Sequence, residues 1–157
     1  MKEVTHYLFS IGLSLYVLST LHNLDASSLT MAVWLSFSVN FIIDLLGHVS
    51  RQGAPSRSWV THSVFTAPMW GGAVGGLTLA AITGVLALRH FWMTITFWII
   101  VGAIVAVGHL LLDSLTGAGV YFMRRRIVLA HFSYDSQILN LGFIALGICL
   151  AVASLRV

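Results

Sequence analysis

Charged residues are scarce in this chain of 157 residues: they make up 8% of it, whereas hydrophobic residues make up 58%. A soluble domain carries about a quarter charged residues, so this composition excludes an ordinary soluble protein. The single cysteine, Cys149, excludes an internal disulfide and a cysteine-based zinc site. Neither a P-loop nor a G-x-G-x-x-G fingerprint occurs, so the sequence offers no known nucleotide-binding loop.

What the chain has instead is a series of long apolar stretches. A membrane-spanning helix needs about 20 apolar residues, and five stretches are long enough: 5–22, 29–48, 63–88, 91–115 and 137–155. The length allows one domain, residues 1–157. The predicted fold is therefore an all-α, polytopic membrane bundle with about five transmembrane helices.

Lysine and arginine indicate the orientation of these spans, because short cytoplasmic loops are enriched in both. With the N-terminus inside, six basic residues face the cytoplasm and two face outward. The six are Lys2, Arg51, Arg57, Arg124, Arg125 and Arg126, and the two are Arg89 and Arg156. We therefore predict a multi-pass cell-membrane protein with a cytoplasmic N-terminus and an outside C-terminus. The basic excess is explained by topology, and no nucleic-acid partner is expected.

Histidines and acids gather at the same inner face, although Lys and Arg alone set the topology. Of twelve such residues, nine fall there: Glu3, His6, Asp44, His48, His62, His109, Asp113, His131 and Asp135. The other three, His22, Asp25 and His90, fall outside. This clustering is an independent indication that the inner face carries a site.

The spacing of these residues points to metal binding. Asp44 and His48, His109 and Asp113, and His131 and Asp135 are each four residues apart. On a helix, positions i and i+4 lie on one face, so each pair can offer two ligands to one ion. Imidazole and carboxylate ligands suit zinc, and also manganese or iron. Ser36 and Asn40 continue the Asp44 line up the second span, while His6, Ser10 and Ser14 share a face of the first.

Some of these residues also have a purely structural interpretation. A lone His6 is typical of a membrane interface, and Thr61 or Ser63 beside His62 can simply cap a helix. Aspartates inside a span are harder to explain structurally, because each costs roughly 2.5–3.5 kcal/mol at the span centre. Asp44 and Asp113 therefore indicate function.

The arginine run, Arg124, Arg125 and Arg126, has two interpretations. It can be a topology signal, partly neutralised by Asp135, or it can bind the phosphate of a lipid headgroup. The stretch GGAVGG (residues 71–76) contains overlapping G-x-x-x-G spacing, which predicts close packing between helices.

Four short motifs occur in order along the chain: THYLFSIG near the start, DLLGH closing the second span, THS opening the third and HLLLDSLTGAGV closing the fourth. Together they resemble a prokaryotic integral-membrane family of membrane-bound metal-dependent hydrolases, distantly allied with zinc-dependent phospholipase C. The resemblance runs from about residue 5 to 120. It implies as ligands His6, His48, His62, His109 and Asp113, with Asp44 as the acid of the second motif.

Two positions depart from that family's pattern. Gly47 stands where many members carry an acid, and Arg57, Ser58 and Trp59 occupy the stretch where many have His-Arg-Gly. Two potential ligands of a two-metal site are thus missing.

The most favoured function is metal-dependent hydrolysis of a phosphoester in a lipid or lipid-linked substrate at the cytoplasmic face. Metal ligands are predicted among His6, Asp44, His48, His62, His109, Asp113 and His131. Asp44 or Asp135 is the candidate general base, and the three arginines are the candidate headgroup contacts. Membrane lipids are the expected partners, and a homo-oligomer is left open. The alternatives are a metal or proton transporter and a non-catalytic metal-binding membrane protein.

Overall fold

The computed structural model describes residues 1–21, 24–51, 54–83 and 91–156. It contains five helices: α1 (Glu3–Leu21), α2 (Ala26–Gly47), α3 (Thr66–Thr83), α4 (Phe91–Ser114) and α5 (Gln137–Ser154). Two antiparallel hairpins interrupt them, β1 (His48–Arg51) with β2 (Ala54–Arg57), and β3 (Val120–Phe122) with β4 (Arg125–Ile127). The prediction of a polytopic all-α membrane bundle is confirmed.

Four of these helices, α1, α2, α4 and α5, are long and apolar enough to cross a membrane. The third predicted span, 63–88, is helical from Thr66 to Thr83, and residues 84–88 lie outside the described part of the chain. Helix α3 therefore begins three residues later than the sequence suggested, because residues 61–65 form a turn instead.

Helix α2 shows how the spans divide their two faces. Leu35, Val39 and Ile43 are fully buried in the bundle, whereas Phe37 and Phe41 are about half exposed on the opposite face. This periodicity buries one apolar stripe and leaves another for lipid. The helix begins at an N-cap, Asp25, whose carboxylate accepts a hydrogen bond from the Ser28 backbone N–H.

Glycine contacts hold the helices close together in two pairs. A Cβ on Gly71 would strike the carbonyl oxygen of Gly102, which joins α3 to α4, and one on Gly12 would strike that of Gly147, which joins α1 to α5. The predicted close packing at residues 71–76 is therefore confirmed, since such an approach requires residues without side chains.

The two hairpins and the segment before α5 cover one end of the bundle. At this end α1 and α5 begin and α2 and α4 end, and α3 starts there after the β1–β2 hairpin. The Tyr121 N–H donates to the His62 carbonyl and the Val64 N–H donates to the Tyr121 carbonyl, so β3 fixes the turn that carries His62. The polar residues predicted at one membrane face are therefore brought to the same end of the fold.

A candidate metal centre

Four side chains meet at this end: Asp44, His62, His109 and Asp113. Asp44 lies in the last turn of α2, His62 lies in the turn before α3, and His109 and Asp113 lie one turn apart near the end of α4. Their ligand atoms all lie within 4.8 Å of one another. Four of the seven predicted metal ligands thus form a group that could hold one divalent ion.

The spacing of the four atoms matches a metal coordination shell. The Asp44 Oδ1 atom lies 3.5 Å from both His62 Nε2 and His109 Nε2, and Asp113 Oδ2 lies 3.5 Å and 3.1 Å from the same two nitrogens. Zinc bonds to nitrogen and oxygen of about 2.0–2.2 Å give tetrahedral edges of about 3.3–3.6 Å. Four of the six separations are therefore close to those that such an ion requires, and the other two are within 4.8 Å.

Three of these four atoms lack a hydrogen bond. His62 Nε2, His109 Nε2 and Asp113 Oδ2 are buried without a hydrogen-bond partner among the described residues. Buried polar atoms are nearly always partnered, and an orphaned one costs about 1–3 kcal/mol. Because the atoms are close together yet form no hydrogen bonds, their lone pairs can be satisfied together by a cation at the centre.

Asn40 fixes the orientation of the His109 ring. The Asn40 Nδ2 group donates to the Ser10 hydroxyl at 3.0 Å and to the Ser36 carbonyl at 2.6 Å, so its Oδ1 atom must face His109. His109 Nδ1 lies 2.7 Å from that oxygen and therefore carries the proton. The Nε2 lone pair is left facing the group, as metal-binding histidines require. The predicted polar line along α1 and α2 is confirmed, and the Ser14 and Ser36 hydroxyls continue it 3.0 Å apart.

The second oxygen of Asp113 is surrounded by cationic groups and a histidine. Arg57 Nη2 donates to Asp113 Oδ1 at 2.7 Å, His6 Nε2 lies 3.1 Å away and the Met1 amino group 3.5 Å away. Arg57 compensates the buried carboxylate and holds it in place, while Oδ2 remains turned toward His62 and His109.

His62 is seated by its neighbours in the turn. Its Nδ1 atom lies 3.0 Å from the Thr61 hydroxyl. A Cβ on Gly47 would strike both the Thr61 hydroxyl and the His62 ring. His62 can therefore lie here only because position 47 is a glycine and not an acid. Burial lowers the pKa of the His62 imidazole below its ordinary value of 6.5, which keeps the ring neutral and able to bind metal.

His6 and His48 flank the four-residue group without joining it. The His6 ring stacks on His109 with centroids 4.3 Å apart, and its Nε2 atom contacts the far oxygen of Asp113. His48 is the C-cap of α2 and its Nδ1 atom lies 2.7 Å from the Asp44 carbonyl oxygen, which leaves the side chain 51% exposed. Both residues therefore contact the candidate ligands from outside the four-residue group.

His131 and Asp135 lie away from the group, in the irregular segment before α5. The prediction that they share one helical face is wrong, because α5 begins only at Gln137. Both side chains are exposed, and Asp135 accepts a short hydrogen bond from the Ser133 hydroxyl. That bond lowers the pKa of Asp135 and makes its carboxylate a weaker base.

A cavity of about 560 Å³ opens beside the candidate centre, and its walls are partly polar and partly apolar. We call it the polar cavity because two arginines and a histidine line it. His48 and Arg57, which touch Asp44 and Asp113, form part of its wall, and Tyr121, Arg126 and Phe132 form another part. The side chain of Asp44 is 21% exposed, so the four-residue group is open at this position. A small molecule in the cavity would lie against His48 and Arg57, which contact two of the candidate ligands.

The three arginines of the run have different surroundings. Arg126 lines the cavity and donates to the Gly117 carbonyl at 3.0 Å. Arg124 lies over the Trp59 ring, 5.6 Å from its centroid. Arg125 is exposed on β4. Arg126 is thus the member of the run that contributes to the cavity.

Sequence reasoning gave no site role to two residues that support the group. The four-residue spacing from Asp44 puts Asn40 on the polar line of α2, and this spacing is the only sequence feature that points to Asn40. The sequence marks Arg57 as a topology signal and as part of the stretch that departs from the family's pattern, whereas β2 brings it onto Asp113.

No curated protein and no solved structure matches the chain. One family model matches residues 1–112, which include Asp44, His62 and His109 and end one residue before Asp113. The chain belongs to the family of this model, which is described as a protein of unknown function (DUF1286).

Proposed function

We propose that this protein is a membrane-integral, metal-dependent hydrolase that cleaves a phosphoester of a lipid or lipid-linked substrate at the cytoplasmic face. The observation that carries the proposal is the set of buried, unpartnered ligand atoms of His62, His109 and Asp113 beside a polar cavity. A site built only for rigidity would not need that opening. The resemblance of the four sequence motifs to membrane-bound metal-dependent hydrolases supports the same class.

Zinc is the metal that the donor set favours, since two imidazoles and two carboxylates at these distances suit a small divalent ion. Manganese and iron accept similar ligands. Such an ion would supply Lewis-acid chemistry, and a phosphoryl oxygen or a water would need a further, fifth coordination position to be activated by it. The protein holds the ion and, through Asn40 and Arg57, fixes two of its ligands.

The cavity walls favour an anionic group. Arg126 and Arg57 both line it, and phosphate is the anion that arginine pairs recognise well. Arg57 has a bond to Asp113, so Arg126 is the residue better placed for a substrate phosphate. Under this proposal Asp44 binds the metal and does not act as the general base. The general-base role of Asp135 stays a prediction.

A lipid is the substrate that the position of the site favours. Asp44 and Asp113 lie within one turn, and His109 within two turns, of the ends of α2 and α4, which are both long enough to cross a membrane. The loops at that end form small hairpins and cannot cover the site with a soluble domain. A headgroup at the interface would reach the cavity without leaving the bilayer.

The test is headgroup release from mixed phospholipid vesicles by purified protein loaded with zinc or manganese. We expect hydrolysis that is lost on adding a chelator and lost in Asp113→Ala. Cleavage of soluble nucleotides without cleavage of lipids would overturn the lipid substrate. Metal crossing the vesicle wall without hydrolysis would replace the hydrolase with a transporter, and metal binding with neither would leave a non-catalytic site.

A further inference from the structure

A second, apolar cavity lies along the outer face of α5. It measures about 410 Å³ and its wall includes Phe132, Leu139, Gly142, Phe143 and Leu146. We call it the α5 groove. From Leu139 to Leu146 it runs about two turns, or roughly 10 Å, along the first half of the helix.

The α5 groove meets the polar cavity at Phe132, which lines both. Hydrogen bonds hold Phe132 next to the end of α4, because its N–H donates to the Leu115 carbonyl at 3.2 Å and its carbonyl accepts from Gly117 at 3.2 Å. These partners follow Asp113 by two and four residues. A cavity lined by arginine and histidine therefore meets an apolar groove at Phe132.

We infer that the α5 groove holds one acyl chain of the lipid whose headgroup occupies the polar cavity. The inference rests on the proposed function and names how that function would select its substrate. Polar and apolar compartments that share one wall fit an amphiphile with its scissile bond near the junction.

The position of the groove favours an acyl chain over a protein occupant. Helix α5 is long and apolar enough to span, and only 17% of its span window is buried within the fold. Ile138 and Leu141, which are 87% and 65% exposed, face the same hydrocarbon environment. Helices pack with their axes 8–10 Å apart over a broad face, whereas a groove two turns long with a glycine in its wall fits a single unbranched chain.

Gly142 gives a direct way to fill the groove. A Cβ at this position meets nothing within 4 Å, so Gly142→Leu places a side chain in the groove without a clash and with better helix propensity. Ala145→Leu is the matched control, because Ala145 is exposed on the same helix and does not line the groove.

The first experiment compares hydrolysis of a long-chain phospholipid with hydrolysis of a water-soluble phosphodiester by zinc-loaded protein. Gly142→Leu should lower kcat/KM for the lipid about tenfold or more, since pocket contacts of methylene size already discriminate by that factor. It should leave the soluble substrate unchanged, and Ala145→Leu should behave like wild type on both. If Gly142→Leu matches wild type on the lipid, the inference is wrong although the hydrolase stands.

The second experiment does not depend on activity. A phospholipid with a photoreactive group in its acyl chain should cross-link to the groove residues of wild type and of Ala145→Leu, and should lose those cross-links in Gly142→Leu. If no substrate is hydrolysed, the proposed function fails. The cross-linking pattern still shows whether the α5 groove holds an acyl chain. Equal cross-linking in all three proteins would overturn the acyl-chain site. A change of oligomeric state in Gly142→Leu alone would assign the groove to a second copy of the chain.

Discussion

Replacing Asn40 tests whether His109 binds metal through Nε2. The Asn40 amide accepts from His109 Nδ1 at 2.7 Å and is itself oriented by Ser10 and Ser36. Asn40→Leu keeps the volume and removes the acceptor, so the His109 ring can take either tautomer and rotate. Asn40→Asp keeps an acceptor for the ring, loses the two donor bonds and adds a negative charge.

The expected loss of zinc affinity follows from the hydrogen bond between Asn40 and His109. Removing the outer hydrogen bond of a metal-binding histidine costs about 10–100-fold in metal affinity, which is about 1.4–2.8 kcal/mol. Asn40→Leu also removes the amide that donates to the buried Ser10 hydroxyl, at a cost of roughly 1–3 kcal/mol of folding stability. We therefore expect Asn40→Leu to bind zinc about 10–100-fold more weakly and to melt at a lower temperature.

The assay is competition for zinc against a chromophoric chelator in detergent, with helicity checked by circular dichroism. In addition, ¹⁵N NMR of the metal-free protein reports the His109 tautomer, which a purely structural defect would not change. Asn40→Asp should keep the Nδ1–H tautomer and bind zinc within about tenfold of wild type. Equal weakening in both variants would make Asn40 a packing residue, and unchanged affinity in Asn40→Leu would refute Nε2 ligation.

The other predictions concern the ligands, the turn, the acid response and the topology. Gly47→Ala should displace His62 and weaken zinc binding at least about tenfold, whereas Gly117→Ala, where a Cβ meets nothing within 4 Å, should not. Elemental analysis should find that Asp113→Ala loses most of the metal and His131→Ala keeps it; the reverse would move the site. Because burial lowers the pKa of His62, its protonation should displace zinc only as the pH falls well below 6.5, and release above 6.5 would contradict that shift. In a cysteine-free background, a cysteine in the β3–β4 hairpin should be shielded in intact cells and one at the C-terminal end labelled, and the opposite result would invert the topology.

The sequence was informative wherever a site residue lay on a helix. His109 and Asp113 are one turn apart on α4, so their spacing alone placed them on one face, and Asp44 followed because α2 ends where α4 ends. The excess of basic residues at one face predicted which helix ends would meet. These are properties of periodicity and chain direction, which a single sequence contains.

The sequence was misleading where the backbone is irregular. Spacing of i and i+4 has meaning only within a helix, and the segment carrying His131 and Asp135 instead pairs with the end of α4 through Phe132. The two hairpins were not predicted. As a result, the contact of Arg57 with Asp113, which depends on where β2 brings the chain, could not be anticipated.

Gly47 shows a further kind of information that is visible only in three dimensions. In the sequence it is an absent acid and suggests an impaired site. In the fold its missing Cβ is what allows His62 to lie against the end of α2 and to point Nε2 toward Asp44 and Asp113. Position 47 thus supplies no ligand, and His62 takes the space beside it. This arrangement favours one ion over two.

The arrangement of the buried atoms favours a metal ion over a proton at the centre of the group. Two carboxylates, Asp44 and Asp113, face it, and Arg57 and the Met1 amino group contact only the outer oxygen of Asp113. A proton on one imidazole adds a single charge and a single donor, so it can satisfy one of the ligand contacts and leave other buried atoms orphaned. A divalent ion engages all four atoms at once, so none of them is left buried without a partner. A single bound ion therefore explains both the orphaned atoms and the two acids. The ends of α2 and α4 and the turn before α3 supply all four of its ligands.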